Sequence, residues 1–313
     1  MESWDTHSLI ALLIIFCALF SFFSRWTKIL YLYVLSPILG KPKDLVKLYG
    51  PWAVVTGSSN GIGKNLAKEL ARRGAKIVLI SNEEEKLSIV AKEIETECGV
   101  ETKVIFADFS LADEEYTHIF DAIKDLDVGI LVNNVGTAAG LPGLFENMTR
   151  KQMWDLSMIN VCAATSMAHF VLPKMKSKRR GLIVNIASTA GMFPTPFANL
   201  YGASKAFMMS FSDALRYECK GTGVEIQTIH PGFVDTNIID SNAKSTPSIF
   251  FPTPEKFAKN LCSNIGVVGS TAGCLPHDIQ CVLVEMLPRC VQIWLGAKYF
   301  EVKNFHANEQ KEE

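Results

Sequence analysis

The chain has 313 residues and a formal net charge of −1, with a pI near 6.6. That length accommodates one large α/β domain plus a membrane segment, and the even charge balance excludes the basic surface that nucleic-acid binding needs. Eight cysteines are scattered with no C-x-x-C pair and no Cys/His metal spacing, so no metal is expected and the thiols are expected to stay free in a reducing compartment.

Hydrophobic residues make up 48% of the chain, concentrated at its start and near its end. The run Ser8 to Ser24 (SLIALLIIFCALFSFFS) comes close to the roughly 20 residues of a bilayer span. Glu2 and Asp5 precede it, and Arg25 and Lys28 follow it. A secretory signal carries its positive charge before the apolar run and a small-residue cleavage site after it; this run has neither. The positive-inside rule puts the remainder in the cytosol. Ile29 to Leu35 is too short to span alone. Residues 1–40 are therefore expected to be an anchor with its flank, and 48–313 a folded domain.

After Pro51, short apolar runs alternate with helical patterns. Trp52–Val55, Ile77–Ile80, Val104–Phe106, Val128–Val132, Leu182–Ile186 and Val224–Ile229 read as strands. Between the first two, Leu66, Ala67, Leu70 and Ala71 share one helix face that stops at Gly74. A charged helix from Glu83 to about Glu97 turns Leu87, Val90 and Ile94 inward, and another runs through Ile119, Phe120 and Ile123. This alternation predicts a Rossmann-type doubly wound parallel sheet behind an N-terminal membrane-anchor helix. Asp240 to Lys256, rich in Ser, Pro and Asn, reads as a loop or lid. Ile265 to Phe300 is apolar but broken by Gly273, Pro276 and Pro288, as in a flap over a pocket or a surface resting on a membrane. Residues 237–300 are expected to form the substrate loop and hydrophobic C-terminal region.

Thr56-Gly57-Ser58-Ser59-Asn60-Gly61-Ile62-Gly63 follows the first strand and opens the first helix. Glycines there allow a tight turn and close backbone approach to a pyrophosphate, which the helix N-terminus favours. Ser81 and Asn82 end the second strand. An acid there would hold the ribose 2′-hydroxyl of NAD, so its absence at these two positions favours NADP(H), with NAD(H) still open because Glu83 to Glu85 follow and no arginine is present.

Tyr201 and Lys205 lie four residues apart, on one face if the stretch is helical. The ammonium is expected to lower the phenol pKa and make Tyr201 a general acid and base near neutrality. Ser188, thirteen positions earlier and just past a strand, can donate a hydrogen bond to a substrate carbonyl.

In order along the chain, Thr56–Gly63 (TGSSNGIG), Asn133–Gly136 (NNVG), Asn160, Ser188, Tyr201, Lys205 and Pro231–Gly232 resemble the motifs of the short-chain dehydrogenase/reductases, over roughly 50–300. The resemblance implies that Asn160 positions a water relay behind Lys205 and that Asn133 stabilises the central sheet. It implies cofactor contacts from Gly57, Ser59, Asn60, Gly61, Ile62, Gly63, Ser81 and Asn82, and from Asn134, Pro231, Tyr201 and Lys205. It also implies Asp108 near the adenine and Thr236 near the nicotinamide amide.

Within that family the anchor, Gly50–Lys64, Asp127–Gly136 and Pro252–Lys259 are similar to the membrane-anchored 17β-hydroxysteroid dehydrogenases that act as very-long-chain 3-oxoacyl-CoA reductases. That group typically has arginine where Asn82 stands and often ends in a dilysine tail, whereas this chain ends Gln310-Lys311-Glu312-Glu313. The similarity implies an NADPH-dependent reductase at the endoplasmic reticulum membrane, facing the cytosol and acting on a lipid ketone, either an acyl-CoA or a steroid. Phe193, Phe197, Phe250 and Phe251 are candidate channel residues. A homodimer through the helices containing Trp154–Phe170 and Tyr201–Glu218 is the implied assembly. Two alternatives are an NAD-linked steroid or retinoid dehydrogenase and a catalytically silent membrane scaffold.

Overall fold

The apolar runs form strands β1 (Trp52–Thr56), β2 (Lys76–Ser81), β3 (Thr102–Phe106), β4 (Val128–Asn133), β5 (Gly181–Ile186) and β6 (Val224–Ile229). A two-residue strand, β7 (Ser270–Thr271), joins β6 and was not expected from sequence. This computed structural model describes residues 6–39, 43–111, 113–138, 141–236 and 249–309. All seven strands pair in parallel, in the order β3-β2-β1-β4-β5-β6-β7. The order reverses between β1 and β4, and in such sheets ligands bind beyond the strand C-termini at that point.

Helices cover both faces, so the strands read as continuous apolar runs rather than alternating ones. On one face lie α4 (Gly61–Arg72), α5 (Glu84–Cys98) and α10 (Pro254–Ser263). On the other lie α6 (Asp113–Ile123), α8 (Ala163–Ser177) and α9 (Asn199–Glu218). Leu66, Ala67, Leu70 and Ala71 are all buried, as are Leu87, Val90 and Ile94. The loop reading through Lys256 ends too late, because Thr253 caps α10 through Lys256 N and the helix starts at Pro254. Residues 240–248 of that reading lie outside the described residues.

The N-terminal run forms α1 (Thr6–Leu30), which continues through a π-helical turn at Tyr31–Leu35 into α2 (Ser36–Leu39). Within the stretch Leu9–Leu39, the most apolar 18 residues have a mean hydropathy of 2.2 and none of them is buried. A short helix, α3 (Leu45–Tyr49), leads into β1. Past α7 (Arg150–Ser157), the chain closes with α11 (Leu275–Glu285) and α12 (Arg289–Glu309). The end of α1 lies along α11: Arg25 Nε is 3.2 Å from Glu285 Oε2, and the Tyr33 hydroxyl donates to Asp278 Oδ2 at 2.6 Å.

Phe257 on α10 is fully buried against the α4 face and His277. Its replacement by alanine leaves a cavity, for which phenylalanine truncations cost about 3–5 kcal/mol. Phe257→Ala is expected to lower the unfolding free energy by that order in chemical denaturation without changing the fold.

Candidate functional site

The loop after β1 is pinned from three sides. Gly57 N donates to Ile80 O at 2.8 Å, tying the loop to β2. Thr56 Oγ accepts from Asn134 N and Val135 N, both at 3.0 Å. The Asn134 amide donates to the carbonyls of Thr56 (2.9 Å) and Gly57 (3.0 Å). Asn134, expected as a cofactor contact, thus braces the loop from β4, a role that sequence reasoning missed.

Gly63 is where the chain tolerates no side chain: a Cβ there would lie 2.2 Å from Gly57 O. Asn60 caps α4, its Oδ1 accepting from Gly61 N at 2.7 Å. Across from Gly61 stands Thr236, whose methyl group would meet a Cβ on Gly61 at 3.4 Å. Ile62 follows, half-buried, in the first turn of α4, where backbone N–H groups lack intrahelical partners. This cradle of close backbone and helix N-terminus fits the pyrophosphate of a dinucleotide.

At the end of β2 the structure brings Glu83, one of the acids that left NAD(H) open in the sequence, against the loop. Ser59 Oγ donates to Glu83 Oε2 at 2.6 Å, and Ser81 Oγ donates to Ser59 Oγ at 3.0 Å. Hydrogen bonds from Lys86 and Ser59 hold the Glu83 carboxyl below its usual range. Asn82 is exposed beside it. Lys64 points away from the loop, pairing with Glu93 on α5 at 2.9 Å. Asp108, two residues past β3, accepts from Ser110 N at 2.9 Å and sits at the same edge, since Ala107 N donates to Ser81 O.

Tyr201 and Lys205 both lie on α9, as the spacing predicts. The Ser188 side chain lies near enough to the Tyr201 hydroxyl to lower its pKa. It also caps the short 3₁₀ turn Thr189–Gly191 through Ala190 N. That turn lies against α9 because Gly191 has no side chain: a Cβ would come within 2.6 Å of Ala206 N. Thr189 N donates to Pro231 O at 2.9 Å, which fastens the turn to the segment after β6.

Lys205 is buried, with Nζ donating to Ile186 O at 3.2 Å and lying 5.6 Å from the Tyr201 ring centroid. Burial pulls its pKa down to about 8. The expectation that Lys205 lowers the phenol pKa is corrected here. Burial raises Tyr201 above the ordinary tyrosine range, and Ser188 offsets this only in part. Desolvation penalises both charged forms and is the largest cause of each shift.

Asn160 sits in a π-helical turn, Met158–Cys162, inserted between α7 and α8. Such insertions are frequent at functional sites. Its Oδ1 accepts from Thr137 N (2.8 Å), while Nδ2 donates to Thr137 O (3.0 Å) and Ser204 Oγ (3.1 Å). A Cβ on Gly136 would lie 3.3 Å from Lys205 Nζ and 3.4 Å from Asn160 Oδ1, so the two side chains approach each other there. Asn133 donates to Asn185 Oδ1 (2.8 Å) and Ala164 O (3.2 Å), and Asn185 donates to Ser212 Oγ (2.8 Å). This buried chain ties β4, β5, α8 and α9 together.

A cavity of about 440 Å³ borders the turn Thr189–Gly191 at Gly191, lined also by Met192, Phe193, Pro196, Ala203 and Arg289 among others. Ser188, Tyr201 and Lys205 do not line it. Phe251 stacks on Phe233, and Phe233 on Tyr299, fixing the segment before α10 to α12. Phe250 is exposed, and its carbonyl pairs with His277 Nε2 at 3.1 Å. Phe197 is half-buried, and its carbonyl accepts from Gly143 N. Of the four phenylalanines expected in a channel, only Phe193 borders this cavity. Among the described residues no group of three or more His, Cys, Asp or Glu side chains is placed to hold a metal.

A doubly wound sheet with a glycine-rich cradle at its switch point and a Ser/Tyr/Lys set beside it defines a dinucleotide-dependent oxidoreductase domain. The family model described as short chain dehydrogenase matches residues 51–246, and the chain belongs to that family. It is 42% identical over 259 residues to the inactive hydroxysteroid dehydrogenase-like protein 1 of Homo sapiens, covering 82% of this chain and 78% of that one. It is 43% identical over 244 residues to the very-long-chain 3-oxoacyl-CoA reductase of Anas platyrhynchos, covering 76% of each. Among solved structures, a 7β-hydroxysteroid dehydrogenase superposes with a TM-score of 0.73 at 26% identity, covering 82% of this chain and all of that one. A Sphingobium yanoikuyae short-chain dehydrogenase in complex with NADPH superposes with a TM-score of 0.62 at 30% identity, covering 67% and 82%.

Proposed function

We propose that this protein is an active, membrane-anchored ketoreductase that reduces the carbonyl of a lipid substrate, a very-long-chain 3-oxoacyl-CoA or a 17-ketosteroid. The observation that carries this reading is the Ser188–Tyr201 hydroxyl pair with Lys205 Nζ buried behind it. The relative named as a 3-oxoacyl-CoA reductase supports the acyl-CoA alternative. The exposed apolar window of α1 supports an anchor, and the cation placement after it supports a cytosol-facing domain at the endoplasmic reticulum. Exposed Trp154 and Phe207 support pairing of two copies through α7 and α9.

In this reading Ser188 donates to the carbonyl oxygen as negative charge grows there, and Tyr201 delivers the proton to the same atom. A nicotinamide held there would supply the hydride that the reduction needs. Lys205, held by Ile186 O, stabilises the phenolate left behind. Asn160 orients Ser204 and the Thr137 backbone around Lys205, which is the setting in which a water relay would run. Gly57, Gly61 and Gly63 with the start of α4 would hold the pyrophosphate, Ser81, Asn82 and Asp108 the adenosine end, and Pro231 and Thr236 the nicotinamide end.

A scaffold reading draws on the relatives named inactive. Against it, Ser188, Tyr201, Lys205 and Asn160 are all present and brought together. The NADPH complex among the structural relatives supports NADP(H). Glu83 opposes a 2′-phosphate and Lys86 offsets it, so this chain discriminates weakly between NADP(H) and NAD(H). An NAD-linked steroid or retinoid oxidation is the activity that stronger NAD(H) binding would favour.

Tyr201→Phe is expected to cut turnover of long-chain 3-oxoacyl-CoA or estrone by about 10²–10⁴-fold while nicotinamide dinucleotide still binds. Equal turnover in wild type and variant contradicts the assignment. Because the Tyr201 pKa is raised, the phenol stays protonated through neutral pH. Reduction is therefore expected to plateau there and to decline as Lys205 loses its proton at about 8, whereas alcohol oxidation climbs with pH until that point. Glu83→Gln is expected to strengthen NADPH binding relative to NADH by about fivefold, the effect of one like charge removed at close range in water. Fluorescence titration of both cofactors measures it, and an unchanged ratio removes Glu83 from the adenosine site.

A further inference from the structure

The anchor does not leave the domain as a free tether. Tyr33 meets Asp278 at 2.6 Å and Arg25 meets Glu285 at 3.2 Å. Eight residues back along α1 thus match seven residues forward along α11. At about 1.5 Å per residue these are nearly equal lengths, so the two helices lie side by side and antiparallel. Ile29 and Leu32, which fall between Arg25 and Tyr33 in the chain, are both buried. Walking back along α1 leads into the exposed apolar run that ends at Ser24. Walking forward along α11 leads in the same direction. The turn between α11 and α12 therefore stands level with Arg25, where the apolar run begins.

That turn has the chemistry of a membrane interface. Between Ile279 and Ala297 the charged residues are Glu285, paired with Arg25, and Arg289. Leu283 and Met286 are each 52% exposed and Trp294 is 57% exposed, with Ile293 exposed beside it. Exposed apolar side chains with a tryptophan and an arginine are what an interfacial element carries, its apolar face sinking about 5–10 Å past the headgroups.

We infer that the α11–α12 turn is a second membrane contact, seated in the phospholipid headgroup region beside the anchor, so that the domain is held against the bilayer in one orientation. This rests on the reading of α1 as a membrane anchor. The occupant is the bilayer because the turn is continuous with α1 and reaches the level at which α1 enters it. Arg289 also borders the 440 Å³ cavity, so that cavity lies beside the same turn.

The test uses the full chain in phosphatidylcholine vesicles with Trp294 as sole tryptophan, Trp4, Trp26, Trp52 and Trp154 being replaced by phenylalanine. Lipid brominated high on the acyl chain is expected to quench Trp294 by about half, as for an element at that depth, and a sole-Trp154 protein to be little affected. Because Trp52 is buried, the unaltered chain gives a second reading: phospholipid with a photoreactive acyl chain should cross-link within residues 279–297. Alkaline carbonate extraction of both preparations reports on the anchor separately. Resistance to extraction with Trp294 unquenched and no cross-link overturns the docking while the anchor stands. Trp294 shielded from acrylamide yet unquenched by lipid marks a protein partner or second copy, and likewise overturns it. Release by carbonate overturns the anchor and the docking together.

Discussion

The structure turns on burying an ammonium group behind a phenol. Lys205 sits out of water with one carbonyl partner, Ile186 O, and Tyr201 is held toward Ser188 rather than toward solvent. Neither group is comfortable in its charged form. That discomfort is useful: a phenol that stays protonated is a proton donor at neutral pH, and a lysine near its own pKa adjusts to the charge left behind. The rest of the fold supplies the pressure that keeps both in place. Gly191 lets the Ser188 turn lie against α9, and the Asn133–Asn185–Ser212 chain fixes α9 to the sheet.

The same domain is braced along α11. His277 and Asp278 are neighbours on α11 with opposite duties. The His277 ring accepts from Gly232 N at 3.2 Å, next to Pro231, while Asp278 accepts from Tyr33 in the π-helical turn that follows α1. One turn of helix thus connects the segment after β6 to the exposed apolar helix at the N-terminus. A relative named inactive is 42% identical to this chain, so family membership alone does not decide activity.

Much of this was visible in the residues. The strands were legible because both sheet faces are covered, which writes each strand as an unbroken apolar run. Ser188, Tyr201 and Lys205 were found because two lie at helical spacing and the third follows a strand. The contact of Glu83 with Ser59 was not, since 24 residues separate them and only the sheet brings β2 beside the loop. β7 was too short to give a pattern, and the π-helical turns at Tyr31–Leu35 and Met158–Cys162 carry no spacing signal. The sign of the Tyr201 shift was misread because burial, not charge pairing, is the larger effect, and burial is a property of the packed whole. Lys64 turning to Glu93 and α1 lying on α11 are likewise products of packing.

Transfer of an isotopic label tests the central claim most directly. The full chain in vesicles would be given nicotinamide cofactor carrying deuterium at its reactive carbon, with a panel of long-chain 3-oxoacyl-CoA and 17-ketosteroid substrates. The product alcohol is predicted to carry one deuterium at the new carbinol carbon. Unlabelled ketone recovered throughout, while the same preparation binds the cofactor, would contradict the account.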